Sequence, residues 1–155
     1  MKIQKLEVHN LPILTELFDY KNATEMIREC TRDIQSGNID IFVLYDKEIL
    51  IGELRVMYKS EDEYTAIPGR RAYLFAFRVK EDFQNKGYGT YLLKEVLALL
   101  KEKGYSEFTV GVEDDNSRAI HMYQEMGFTE FLIRKQEEYQ GDSYEYNLYL
   151  KRYMN

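Results

Sequence analysis

The chain has 155 residues, of which 45 % are hydrophobic and 31 % charged, enough to bury one substantial core and typical of a globular protein. Its formal net charge of −6 argues against nonspecific binding of nucleic acid, which needs basic surface, and would suit a cationic substrate. No apolar run approaches the roughly 18 residues of a membrane span, and a single cysteine excludes intrachain disulfides and metal sites built on cysteine pairs.

The N-terminus, MKIQKLEVHNL, alternates polar and apolar residues and lacks the apolar centre of a secretory signal, so a cytoplasmic setting is the default expectation. Ile3 to Val8 reads as a weak strand. Asn10 can cap a short helix opening at Leu11-Pro12, where proline is tolerated in the first turn. A second helix is expected from Asn22, with Glu25 three places on as in a capping box, to Gly37. Its apolar stripe is Met26, Ile27, Cys30 and Ile34, which makes Cys30 a small core residue. Strands over Ile39–Tyr45 and Ile49–Tyr58 are joined by Asp46-Lys47-Glu48 as a hairpin. Lys59 to Arg71 is an acidic loop containing Pro68-Gly69.

Tyr73 to Val79 is an aromatic-rich strand. The helix after it carries Tyr91, Leu92, Leu93, Val96, Leu97 and Leu100 at helical spacing and closes at Gly104. Phe108 to Val112 is a strand, completing a βαβ crossover. A helix follows from about Ser117 to Met126, then a strand over Phe128–Arg134, a polar turn over Gln136–Ser143, and a last strand from Tyr144. There are no repeats, linkers or low-complexity tracts, and one mixed α/β domain spanning residues 1–155 is expected.

The chemistry centres on the turn between the central strand and the long helix. Strand, glycine-bearing turn and helix aim the unpaired N–H groups of the helix start into the turn, where the helix dipole favours an anion. Glycine permits close approach and unusual backbone angles there. An ordinary strand-to-helix turn is the plain alternative. A P-loop string is missing, and the dinucleotide fingerprint begun by Gly87 and Gly89 meets Leu92 at its third glycine position. Glu113 stands about 20 positions on as its acidic residue, so a nicotinamide-binding domain is weakened as an alternative and stays open.

Gln84-Asn85-Lys86-Gly87-Tyr88-Gly89 does fit Gln-x-x-Gly-x-Gly, and Asn116 to Phe128 fits Asn-x-x-Ala-x-x-x-Tyr-x-x-x-Gly-Phe. With the element order, these motifs resemble the GNAT superfamily of acyl-CoA-dependent N-acyltransferases across essentially the whole chain. The resemblance implies an α/β fold with a mixed sheet of about seven strands and about four helices. It also implies acetyl-CoA as cosubstrate and direct transfer of acetyl to a primary amine in a ternary complex. Homodimers are frequent in the family, and the Tyr-rich last strand could supply an edge.

Carried over by position, the backbone of Phe77, Arg78 and Val79 would pair with the pantetheine amides like an added strand. The amides of Gln84, Asn85, Lys86, Gly87, Tyr88, Gly89 and Thr90 would wrap the pyrophosphate. Thr90 could add a hydroxyl, and Lys86 a charge unless it is only a solvated loop cation. Asn116 would bond the pantetheine arm or simply cap its helix, and Ala119 would leave room for that arm. Tyr123 would donate a proton to the departing thiolate, the plain alternative being a core tyrosine. The Val79 N–H would stabilise the oxyanion.

A carboxylate base on the central strand, usual in the family, is missing, since Tyr73, Phe75 and Phe77 occupy the alternating positions. Glu53 and Glu113 are the remaining candidates, acting directly or through water, or they are merely solvated or ion-paired. That gap keeps open a non-catalytic acyl-CoA-binding module on the same fold. His121 lies off the Tyr123 face, His9 has no partner in view, and no metal constellation is present. Glu61-Asp62-Glu63 and Glu113-Asp114-Asp115 could attract a cationic amine, and Tyr58, Tyr64 and Tyr73 could line its pocket.

Overall fold

Arg71 to Val79 form a nine-residue strand, β4, and the rest of the sheet builds outward from both its edges. The computed structural model describes residues 1–153. In chain order these hold β1 (Lys2–Lys5), a 3-10 helix (Val8–Glu16), α1 (Ala23–Gln35), β2 (Ile39–Asp46), β3 (Ile49–Met57) and β4 (Arg71–Val79). A 3-10 turn (Glu81–Phe83), α2 (Tyr88–Glu102), β5 (Glu107–Val112), α3 (Ser117–Glu125), β6 (Glu130–Tyr139) and β7 (Asp142–Arg152) follow. The hydrogen-bonded order is β1-β2-β3-β4-β5-β7-β6. The sheet is mixed, with β4 and β5 parallel and β1–β2, β5–β7 and β6–β7 antiparallel. The expected α/β class and element order are therefore found.

Contacts gather in two compact units, residues 1–56 with 76–99, and residues 57–75 with those from Leu100 onward. In the first, Leu11, Leu14, Met26, Ile41, Leu44, Ile51, Leu54, Leu92 and Leu93 are fully buried. Helix α1 starts where the Asn22 side chain accepts the Glu25 N–H at 3.0 Å, as expected of that cap. The preceding helix starts earlier than expected. Asn10 lies inside its first turn and accepts the Glu7 N–H at 3.2 Å, and the segment around Pro12 is wound as 3-10.

In the second unit the β4–β5 ladder runs from Arg71↔Glu107 to Leu74↔Val110. The hairpin at the end of the chain corrects two expectations. The turn is two residues, Gln140 and Gly141, both at positive φ (49° and 86°), and Gln136↔Glu145 and Glu138↔Ser143 are paired strand positions. Residues 136–138 are polar because this length of hairpin is exposed, not because it leaves the ladder. Second, β7 lies between β5 and β6, so the Tyr-rich last strand is interior and β6 is the edge. Phe128 precedes β6 instead of opening it, and its buried ring meets Tyr123 edge-on at 5.7 Å.

Candidate active site

The first unit contains the glycine turn. Ala76 sits at φ +50°, a kink within β4. Beyond it the side chains alternate. A Cβ placed on Gly89 would lie 3.4 Å from both the Phe77 ring and Val79 Cγ2, so those two side chains pack on the first turn of α2. Arg78, between them, points to the other face and reaches Glu53. The Lys80 N–H bonds the Ile51 carbonyl at 2.8 Å, so the backbone groups of Val79 turn away from β3. Gln84 Nε2 donates to the Val79 carbonyl at 2.9 Å and ties the loop back to the strand end.

Asn85 and Gly87 turn the chain through positive φ (62° and 87°), and α2 begins at once, with the Tyr91 N–H on the Gly87 carbonyl at 3.0 Å. At Gly87 a side chain would meet nothing within 4 Å, so the requirement is one of backbone angle alone. Tyr88 Oη donates to Asp46 Oδ2 at 2.8 Å, which anchors the helix start to the end of β2 and raises the phenol above its ordinary value. Phe83 stacks edge-on against Tyr88 at 5.7 Å, and Lys86 Nζ lies 6.0 Å from the Phe83 ring. The loop is thus held at several points. The N–H groups of Tyr88, Gly89 and Thr90 belong to the first turn, which has no intrahelical acceptors for them. Leu92, where a dinucleotide fingerprint would need its third glycine, is fully buried.

The same unit holds a buried ionic cluster. Glu53 is wholly inaccessible; Arg55 Nε lies 3.0 Å from its Oε2 and Arg78 Nη1 lies 2.8 Å from its Oε1. The Tyr20 hydroxyl oxygen accepts from Arg55 Nη2 at 2.7 Å and from Arg78 Nη1 at 3.3 Å. Arg55 Nη1 reaches Cys30 Sγ at 3.4 Å. Burial pushes the Tyr20 phenol and the Cys30 thiol up, so both stay neutral, and Cys30 is a core residue. For Arg55, burial works against the charge, but the charge and hydrogen bond of Glu53, together with Cys30 and Tyr20, outweigh that and hold the guanidinium ionised. Arg55 and Tyr20 did not stand out in the sequence as members of a site. The available signal was Glu53 and Arg55 two residues apart in an apolar strand, hence on one face.

In the second unit, Asn116 Oδ1 accepts the Ala119 N–H at 3.2 Å and caps α3. Tyr123, in the second turn, is 8 % exposed. Burial, with a smaller contribution from Tyr73, raises its phenol well above the ordinary value of 10. Tyr73 stacks on Phe75 with centroids 5.5 Å apart. Glu113 is exposed, its backbone carbonyl taken by the Asn116 N–H at 3.1 Å. Asp114 is held by Arg134 and by Asn147, and Asp62 by Lys135 at 2.6 Å and by Thr65, so each of these acids already has a cationic partner. Tyr58 packs on Tyr105, Tyr64 is half exposed, and His9 and His121 are on the surface, the latter 3.0 Å from Glu125. Among the described residues no group of three or more His, Cys, Asp or Glu could hold a metal ion, and no helix is long and apolar enough to cross a membrane.

Residues 7–128 match the profile of the acetyltransferase (GNAT) family. The chain belongs to that family. Over 64 residues, 41 % of its length, it is 33 % identical to thialysine N-epsilon-acetyltransferase of Sus scrofa, covering 38 % of that protein. Over the same length it is 34 % identical to ribosomal protein bS18 alanine N-acetyltransferase of Escherichia coli K12, covering 43 %. The chain thus spans about two fifths of these curated relatives' length. Among solved GNAT folds, a point mutant of spermidine N-acetyltransferase SpeG from Vibrio cholerae superposes with a TM-score of 0.74 at 19 % identity, covering 98 % of this chain and 95 % of that one. PaiA N-acetyltransferase from Thermoplasma acidophilum, in complex with coenzyme A, superposes with 0.67 at 22 %, covering 98 % of each chain. These likenesses show the fold that the GNAT profile implies.

Proposed function

We propose that this chain, acting as one GNAT domain over residues 1–155 in the cytoplasm, is an acetyl-CoA-dependent N-acetyltransferase. Acetyl passes directly to a primary amine in a ternary complex. The observation that carries this reading is the pinned turn from Gln84 to Thr90. Positive-φ backbone and the start of α2 there present main-chain N–H donors suited to a pyrophosphate, with Lys86 adding positive charge. The backbone of Phe77, Arg78 and Val79 receives the pantetheine arm as a strand-like partner. Gln84 occupies the Val79 carbonyl, and the Val79 N–H serves the carbonyl oxygen on which negative charge develops. Asn116 Oδ1 caps α3, while its Nδ2 donates to the pantetheine arm beside the small Ala119.

As the amine nitrogen bonds to the acetyl carbon and the carbon–sulfur bond breaks, Tyr123 gives its phenolic proton to sulfur and is reprotonated from solvent. Outside the protein this transfer runs uphill, from a phenol near 10 to a thiolate whose acid is about 8.5. Burial raises the phenol, but it also raises the thiol, because both are neutral acids that ionise to anions. Of the two carboxylates, exposed Glu113 takes the ammonium proton through water. Glu53, with both oxygens on guanidinium groups, organises β3 and β4 instead.

The test is release of free thiol from acetyl-CoA by the purified protein across a panel of primary amines. Failure to bind acetyl-CoA would overturn the proposal. Because β4 carries no Asp or Glu, an acyl-CoA-binding module without catalysis is the second reading. It predicts tight acetyl-CoA binding and no thiol release with any amine.

A further inference from the structure

The ionic cluster of the first unit carries more positive charge than the neutralisation of Glu53 requires. One carboxylate faces two guanidiniums, and the other titratable members, Tyr20 and Cys30, are kept neutral by burial. Besides Glu53, the acids whose charge reaches Cys30, Asp33 and Glu29, lie on α1. Arg55 is already sufficient for Glu53, and its side chain is only 8 % exposed. Arg78 is the open member, with its side chain 26 % exposed. Its Nη1 serves both Glu53 and Tyr20, whereas Nε and Nη2 have no protein acceptor among the described residues. The Phe18 ring lies 4.1 Å from the guanidinium carbon, a cation–π contact that helps hold the head in place. Tyr20 accepts two N–H groups through its oxygen and keeps its own O–H to donate. A flat fork beside a hydroxyl donor matches a carboxylate.

The cofactor's phosphates do not account for this site. Phe77 and Val79 pack on the start of α2, whereas Arg78 projects from the opposite face of β4. Arg78 is nonetheless the neighbour of Val79, about 3.8 Å away along the chain. We propose that Arg78, with the Tyr20 hydroxyl and beneath the Phe18 ring, is a carboxylate subsite for the acceptor, so that the amine acetylated by this chain also bears a carboxylate. This rests on the acetyltransferase reading, which alone makes Val79 the place where the acetyl group sits.

Matched acceptors that differ only in the carboxylate test it: lysine against 1,5-diaminopentane, and alanine against ethylamine. Thiol release from acetyl-CoA is followed, and binding is measured separately by ligand-observed NMR with coenzyme A present, where no turnover occurs. The wild type is expected to prefer the carboxylate-bearing member by about tenfold or more, the size of one charge-assisted hydrogen bond. In Arg78→Gln that ratio falls towards one. Arg78→Lys retains charge beside Glu53 but loses the fork, and recovers only part of the ratio. Tyr20→Phe leaves all three ions in place and lowers the ratio severalfold, so the idea stays testable if Arg78→Gln does not fold. Equal use or binding of both members by the wild type, or a preference that survives Arg78→Gln, overturns the subsite. Acetylation without carboxylate preference sinks the subsite and leaves the transferase standing. Arg78-dependent binding of lysine with no thiol release does the reverse.

Discussion

Glu53, Arg55 and Arg78 in one unit and Tyr73, Tyr123 and Tyr146 in the other are polar clusters of similar size set among apolar residues. The first keeps its charge inside the protein because each ion has an opposite ion within 3.0 Å. The second is built of neutral groups, and burial pushes all three phenols above their ordinary range. Burial therefore does opposite work in the two places. In one it locks ions into a fixed arrangement that can recognise another ion. In the other it keeps three phenols protonated, so that each is held as a donor and not as an anion.

The comparison breaks first at Glu53. Glu53→Ala leaves two guanidiniums facing each other without their shared anion, and should cost about 3–5 kcal/mol of unfolding free energy, read from urea midpoints. If the loss is under about 1 kcal/mol, the cluster is not held by that carboxylate. Tyr123→Phe removes a proton and little packing. Stability should stay within about 1 kcal/mol and the acetyl-CoA dissociation constant should hold, while kcat falls about 100-fold, or roughly 2.7 kcal/mol of barrier. Unchanged kcat would make Tyr123 an ordinary core tyrosine.

Gly87→Ala probes the turn where only backbone angle is at stake, and should cost about 1–2 kcal/mol together with weaker acetyl-CoA binding in calorimetry. The smallest effect sharpens the contrast at a half-exposed ion pair. Burial would raise the Asp62 carboxyl, but its bonds to Lys135 and Thr65 outweigh this and hold it below its ordinary value of 3.8. Its contribution is therefore complete above that value and is lost as pH falls through the lower folded one. Asp62→Asn should cost at most about 1 kcal/mol at pH 7 and flatten the acid limb of the stability profile below about pH 4.

The strands and helices were legible because apolar residues recur at strand or helix spacing along them. The turn at Gly87 was legible for a related reason: its geometry tolerates few residue types, and the requirement appears in the letters. The ionic cluster was not. Tyr20 and Arg55 lie 35 residues apart and Glu53 and Arg78 lie 25 apart, so pairing them requires the sheet order in advance. Residues 136–143 were misread because polarity there reports exposure, and a hairpin held by its own ladder needs no apolar face along that length. Asn10 was misplaced because a capping side chain can reach backwards from inside the turn as well as forwards from its mouth.

The bond from Gln84 to the Val79 carbonyl spans five residues and joins the loop to the tip of the strand. A ligand that grips the main chain of that loop would pull, through one amide, on the residue proposed to polarise the acetyl group. Seating the distant end of a long ligand would then set the alignment of its reacting end, and a fragment lacking the diphosphate would bind more weakly and also sit out of true.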